Sequence, residues 1–575
     1  MKEMKFVYMC SILCITSISG VFAQSGDKLL DILSDELNAH YQELQGEKYP
    51  PYYMNYRIID VWNTTITASF GALRDNQSRH RRMMIPHMRI GDMTLDNYKY
   101  YPMGAEVSER GISFASLPID DQDNEDAIRQ AIWMESSLRY AFAVNMYEHT
   151  KAQTKVNVKN EDKAPYFSPA PVESYYEEPL PGYRLKVDSE AWVVRLKKIS
   201  ALFNENMDVV QGDVTLTYDV ERRYFVDTEG RSVVENLPYA RIMIQGSVMA
   251  LDGMELPLYL SYFAYDLADL PADEQMMTDT REMIKTLLAL REAPVAEPYT
   301  GPALLSGAAS GVFFHEIFGH RLEGQRMKTG EDGQTFKQMV GKDVLPSDFH
   351  VFDDPTLTHY VGKQLNGHYK FDDQGIRAKR VDVVVDGKLR DFLMTRVPID
   401  GFPVTNGHAR ASDGFDPVSR QSNLGIETKS PKTKEELRAM LIAEAKKQNK
   451  EYGYFFTEVT SGLTYTGTNS TNSFNVTPLV VYRVFVDGRP DELVRGVLLI
   501  GTPLSMFSNI VCAGDDPSVF VGICGAESGG VQVTAISPTI LVSKIETQRA
   551  AKSNSLPPIL PREYVPQNDR MGYNY

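Results

Sequence analysis

Cysteine is scarce, with 4 in 575 residues, too few for a disulfide scaffold. Basic charge is also short: 60 Lys and Arg stand against 76 Asp and Glu, a net charge of -16. That balance gives no electrostatic footprint for nucleic acid or for an anionic membrane. Beyond the first two dozen residues no run is long and apolar enough to cross a bilayer. What is present is ordinary globular material rich in aromatics. Apolar residues make up 43% and charged residues 24%, with 31 Tyr and 25 Phe, which excludes a disordered or collagen-like chain. The length predicts two or three domains with ample core.

The N-terminus reads as a secretory signal over residues 1–23. Lys2 and Lys5 precede the apolar run 6–20, and Val21-Phe-Ala23 offers a small residue at the cleavage position before Gln24. A retained anchor is disfavoured because the run is short and broken by Ser and Thr. Lipid attachment at Cys14 is disfavoured by the bulky Ile12 and Leu13 ahead of it. The expectation is an exported protein, periplasmic or secreted, with no stable membrane insertion once the signal is removed. Its mature chain keeps only Cys512 and Cys524, in a compartment that permits disulfides.

Periodicity then divides the chain. Leu29, Leu30, Ile32, Leu33 and Leu37 fall at helical spacing within 28–44, and Ile128, Ala131, Ile132, Leu138 and Phe142 do so within 124–153. The β-branched and aromatic stretches 53–62 and 64–71 predict paired strands. Residues 164–181 hold five prolines and suit an irregular connector. Val214, Leu216, Tyr218 and Val220 alternate with polar residues as in a half-buried strand. Turn pairs at Glu229-Gly230 and Asp252-Gly253 favour antiparallel hairpins. A polar helix over 272–292 precedes Pro294, which places the main boundary there: an N-terminal domain over 24–292 and a C-terminal domain over 293–575. The second domain shows hairpin signals at Asp386-Gly387 and Asp487-Gly488, and a helix opened by Thr433 and Glu436 in capping-box spacing. The fold class is α+β. The basic run Arg79-His-Arg-Arg82 reads as a solvated turn. Sequons begin at Asn63, Asn76, Asn469 and Asn475.

One constellation carries chemistry: Ser310-Gly-Val-Phe-Phe-His315-Glu316-Ile-Phe-Gly319-His320. Two imidazoles can hold a zinc ion, and a neighbouring carboxylate can take a proton from water activated by it. The histidines, however, are five residues apart. Five helical steps leave their side chains roughly 140° apart, against about 40° for four, so a straight helix would not bring both to one ion. Gly319 predicts a helix end there, with His320 just beyond the last turn. Two core histidines beside a surface glutamate remain the competing reading. A third ligand must come from elsewhere. Cys524, flanked by glycine at 522 and 525, is one candidate. A Cys512–Cys524 disulfide is the alternative fate of that sulfur, and the two exclude each other. His350, His359, His368 and His408 are further candidates. Arg321, Arg410 and Arg420 are conceivable partners for a developing oxyanion, although a structural salt bridge is the commoner fate of such residues.

Taken together, these landmarks resemble the TldD/PmbA family of metallopeptidases. The family's motif is matched by His315, Glu316 and His320 followed by Leu322-Glu323-Gly324, and its cysteine ligand by Cys524-Gly525. Phe371-Asp-Asp-Gln-Gly-Ile, Asn406-Gly-His-Ala-Arg and Pro417-Val-Ser-Arg-Gln-Ser-Asn are similar to other family landmarks. Gln374 stands where an acidic residue is expected, so that loop is given no catalytic role. The resemblance implies an N-terminal α/β domain with long helices, and a C-terminal domain of mostly antiparallel curved sheet that carries the metal-site helix. It implies one Zn2+ per chain held by His315, His320 and Cys524, with Glu316 as catalytic base. The function implied is zinc-dependent hydrolysis of unfolded or extended peptides, held by strand addition at a sheet edge. A homodimer, or pairing with a related subunit, is implied as well. The alternative is a non-catalytic peptide-binding or assembly partner with a structural metal or the Cys512–Cys524 disulfide.

Overall fold

The computed structural model describes residues 26–99, 115–119, 124–154, 162–328, 334–464, 466 and 474–550. The signal segment 1–23 and the sequon at Asn469 lie outside the described residues. Helix α1 (Lys28–Leu44) starts where the Asp27 carboxylate accepts from the Leu30 N–H, and it buries Leu29, Leu30, Ile32, Leu33 and Leu37.

Two paired strands were expected within 53–71. Instead these residues lie in one long strand, Pro51–Ser69, which turns at Phe70 and Gly71, both with positive φ, and pairs back with Ala72–Asp92. The Trp62–Thr64 step carries no breaker, so nothing there ends the strand. The run Arg79–Arg82 is accordingly strand and not a solvated turn. Arg82 is buried and bridges to Asp60 at 2.9 Å, His80 contacts the same carboxylate at 2.7 Å, and Arg81 pairs with Asp413.

These strands join Val209–Asp227, Ser232–Met249 and Glu255–Ala264 in an eight-stranded sheet. Its pairings are antiparallel except that Ser174–Tyr176, within the proline-rich connector, runs parallel to Ser232–Met249. Period-two alternation gives the sheet two different faces. Tyr56, Ile58, Ile66, Val214, Leu216, Ile242 and Ile244 point to one face. There they pack under α1, α2 (Glu125–Thr154), α3 (Ser189–Ser200) and α4 (Asp273–Glu292). The opposite face carries Asn63, Asp219, Glu221, Arg223, Tyr239, Arg241 and Gln245, and looks toward the C-terminal half.

Helix α2 departs from its expected pattern in one respect. Ile128 and Ile132 are buried, but Leu138 is 47% exposed, and Glu135, Ser136 and Arg139 take the inner face further along. The reason is a polar target. Arg139 donates to Tyr98 and to both oxygens of Asp416 at 3.0 and 3.1 Å, which ties α2 to a loop of the C-terminal half.

From residue 299 two further large sheets begin. A seven-stranded sheet runs in the order Tyr452–Thr464, Tyr299–Leu305, Ile540–Arg549, Val497–Gly501, Phe474–Phe485, Glu492–Val494, with Ile510–Ala513 on Ile540–Arg549. Because Tyr452–Thr464 also pairs with Phe474–Phe485, the sheet closes on itself, an extreme form of the expected curvature. The six-stranded sheet ends in Asn423–Thr428, Gly529–Ser537 and finally Ser518–Ala526. Between the two sheets lies α5 (Gly307–Ile317), opened by Ser306, whose hydroxyl accepts from the Ala309 N–H. It is buried almost throughout, and Phe313, Phe314 and Ile317 belong to the main core of this half. Helix α6 (Lys434–Lys447) begins at the Thr433/Glu436 capping box read from the sequence.

Candidate metal centre

Helix α5 stops at Ile317, Phe318 caps it with φ -121°, and Gly319–Arg321 forms a 3₁₀ turn. That break answers the spacing problem. The rings of His315 and His320 come to 4.9 Å between centroids, nearly perpendicular. Gly319 is needed for a reason other than backbone freedom: an added Cβ would overlap the Gln421 side-chain amide, itself buried against the turn.

Cys524 arrives from the outer strand of the six-stranded sheet. Its Sγ lies 3.2 Å from His315 Nε2 and 3.4 Å from His320 Nε2, and the three donor atoms all lie within 4.8 Å of one another. All three residues are buried. Two imidazole nitrogens and a sulfur at these separations suit one tetrahedral ion, for which ligand bonds of about 2.0–2.3 Å put neighbouring donors about 3.5 Å apart. No other group of three or more such side chains is close enough to hold an ion among the described residues. Burial pushes the Cys524 thiol up, but the adjacent imidazoles of His320 and His315 outweigh it and hold the sulfur well below its ordinary range.

The disulfide alternative does not form. Both cysteines are free, and Cys512 sits on another strand beside Met440, in the small cluster under α6.

Around the donors, a network read in the sequence only as a landmark fixes His320. Its Nδ1–H donates to Glu323 at 3.1 Å, which turns Nε2 toward Cys524. Glu323 is fully buried and is held ionised: burial raises its pKa, but His320, Arg326 and Arg420 pull it well below the usual carboxylate range. A carboxylate that orients a ligand imidazole in this way also raises its basicity.

Glu316 lines the same cavity, of about 480 Å³, as His315, His320 and Cys524. Burial raises its pKa, opposed by the nearby imidazoles. Its side chain lies against Gly462, where any Cβ would collide with it. Nothing in the sequence around Gly462 signals that contact, because it joins two strand-separated segments.

The other candidates lie elsewhere. His350 pairs with Asp382 on the surface, His359 is exposed, and His368 donates to the Pro355 carbonyl. His408 is buried between Asn406 and Asp353. Arg321 donates to the Glu316 carbonyl and Thr464, and Arg410 to the carbonyls of Gln421 and Gln532. Arg420 donates to the Cys524 carbonyl at 2.5 Å and to Ser528. None of the three lines the cavity; each braces the backbone that presents the donors. The loop at 371–376 is scaffolding too. Asp372 accepts from the backbone of Gln374, Ile376 and Ala409, and Gln374 accepts from the Arg396 N–H.

Comparison with known proteins agrees with this architecture. Residues 298–549 match the PmbA/TldA metallopeptidase C-terminal domain. A metalloprotease of Archaeoglobus fulgidus is 28% identical over 261 residues, 45% of this chain and 56% of that protein. A metalloprotease TldD homolog of Buchnera aphidicola is 21% identical over 409 residues, 69% of this chain and 79% of that one. The chain thus spans little more than half the length of the archaeal relative. Among solved structures, TldE from Thermococcus kodakarensis superimposes with a TM-score of 0.60 at 12% identity, over 90% of this chain and 100% of that one, a likeness of fold. Residues 298–549 of the chain are thus similar to the PmbA/TldA metallopeptidase C-terminal domain, and the chain as a whole shares the fold of TldE.

Proposed function

We propose that the protein is a zinc peptidase that hydrolyses extended peptides, with His315, His320 and Cys524 as metal ligands and Glu316 as general base. The observation that carries the reading is the meeting of two imidazoles and one thiol from separate segments within 4.8 Å, beside the Glu316 carboxylate in one cavity. Zinc at such a set supplies Lewis acidity toward a carbonyl and lowers the pKa of water. The protein's own residues then do the rest. Glu316, with its pKa raised by burial, accepts a proton from the attacking water and returns it to the leaving amine. Glu323 keeps His320 in the tautomer that offers Nε2 to the ion. Gly462 leaves room for the Glu316 side chain.

The strand Ser518–Ala526 supports the substrate class. It is the outermost strand of its sheet and borders the cavity over residues 520–526. A peptide laid along this edge would find backbone N–H and C=O groups for pairing. Export to the periplasm or beyond follows from the pattern of residues 1–23, and a homodimer or a pairing with a related subunit is the proposed assembly.

The test combines metal analysis of the purified protein with peptide cleavage by wild type and Glu316→Gln. Close to one zinc per chain in both proteins is expected, with cleavage reduced by about 10²–10⁴-fold in the variant. Equal cleavage by the two would remove Glu316 from the mechanism.

A further inference from the structure

The roof of the cavity comes from the other half of the molecule. Arg241, Met243 and Gln245, at alternate positions of Ser232–Met249, face the cavity together with Tyr259 of the neighbouring strand. Tyr259 donates to the Val459 carbonyl at 2.9 Å, which fastens this roof to the strand that also carries Gly462. The roof and the donor set therefore enclose one space.

The charges around that space are unevenly matched. Arg326 is committed to Glu323 and Glu527 at 2.7 and 2.6 Å. Glu316 lies beside the imidazoles. Arg241 has no carboxylate partner among the described residues. Its Nε donates to the Ser261 hydroxyl at 3.0 Å, which anchors the guanidinium by its base, and the residue lines the cavity. Burial pushes its pKa down, and the neighbouring Tyr259 and Tyr239 only partly oppose this. Arg241 is half-buried, so a peptide filling the cavity would take its guanidinium further from water, and its planar pair of donors matches a carboxylate.

We propose that Arg241 is a substrate-binding residue that captures a carboxylate of the bound peptide, so that the cavity favours peptides carrying either a free C-terminus or an acidic side chain near the bond to be cut. The proposal rests on the peptidase reading for the identity of its ligand, and it adds a substrate preference which that reading does not contain. An apolar or neutral peptide would leave the guanidinium desolvated and unpaired, whereas a carboxylate would satisfy it with charge-assisted hydrogen bonds.

Binding separates the two ideas. Fluorescence anisotropy would be measured with labelled hexapeptides on the full chain in a Glu316→Gln background, where turnover does not interfere. The set compares a free C-terminal acid with its amide, and an internal Glu with Gln. The expected result is binding at least ten-fold tighter for one acid over its neutral counterpart, weakening with added salt. The preference should vanish in Arg241→Gln and return in part in Arg241→Lys. Whichever pair shows the preference identifies the carboxylate as terminal or side chain. Equal affinities across the set, no binding of any member, or a preference that survives Arg241→Gln would overturn the proposal. Absence of cleavage by the wild type with the charge preference intact would sink the peptidase reading alone.

Discussion

At the scale of single residues, the site depends on atoms that are missing as much as on those present. Gly462 is the clearest case, since its Cβ would occupy the place of the Glu316 side chain. Gly462→Ala is expected to force Glu316 away from the cavity and lower kcat by about 10²-fold, as a misplaced base does, while metal content measured on the same protein stays unchanged. Loss of metal together with activity would mean that the substitution disturbs the donors themselves. His315, Glu316, His320 and Cys524 were legible in the sequence because their chemistry is carried by residue type. Gly462, Gln421 and Arg241 were not, because a glycine, an amide or a single arginine acquires meaning only from what lies opposite it.

At the scale of elements, the decisive feature is the end of α5. A continuous helix would have separated the two imidazoles, and the change to a 3₁₀ turn at Gly319 brings them together. Gly319→Ala would push against the Gln421 amide, which is buried and has little room to yield. The expected outcome is metal affinity reduced about 10–100-fold, the range seen when ligand orientation is lost. Helix content by circular dichroism should not change. Competition with a chromophoric chelator would read the affinity, and an unaltered value would show that His320 is placed by Glu323 alone. The amphipathic helices and the hairpin turns at Gly230 and Gly253 followed from local pattern. The long hairpin 51–92 did not, since its second strand begins in a run of exposed polar residues with no alternation of hydrophobicity to announce it.

At the scale of the whole molecule, buried charge joins the halves and sets the pH response. Burial pushes Asp372 and Glu235 up to about 7, so between about pH 7 and 4 the folded state holds protons that the unfolded chain has released. Stability contributed by these groups therefore rises as the pH falls through that window. His87, pushed down to about 4 by burial, opposes part of the gain below about pH 6.5. Asp416 acts at lower pH. Burial raises its pKa, but Arg139 and His87 hold it well below the usual carboxylate range, so its stabilisation is complete above about pH 4 and is lost as the pH falls further. Thermal unfolding should give a maximum Tm near pH 5, with lower values at pH 8 and pH 3. A Tm that climbs steadily from pH 5 to 8 would contradict this assignment. Arg139→Met, which strips Asp416 of its main cation in a buried setting, is expected to cost about 3–5 kcal/mol at neutral pH and to flatten the acid limb below pH 4.

By itself the sequence determined the secondary structure with strong periodicity, the capping box at Thr433, and the donor chemistry of the side chains at 315, 320 and 524, because those are properties of neighbouring residues and of residue type. Only the tertiary structure decided that the sulfur of Cys524 lies between the two imidazoles and not against Cys512. It alone placed Arg241 above the same cavity from the other half of the chain. Both depend on how sheets built from distant segments close over one another, and that closure is fixed by the joint burial of many side chains, a quantity that no local stretch of sequence carries.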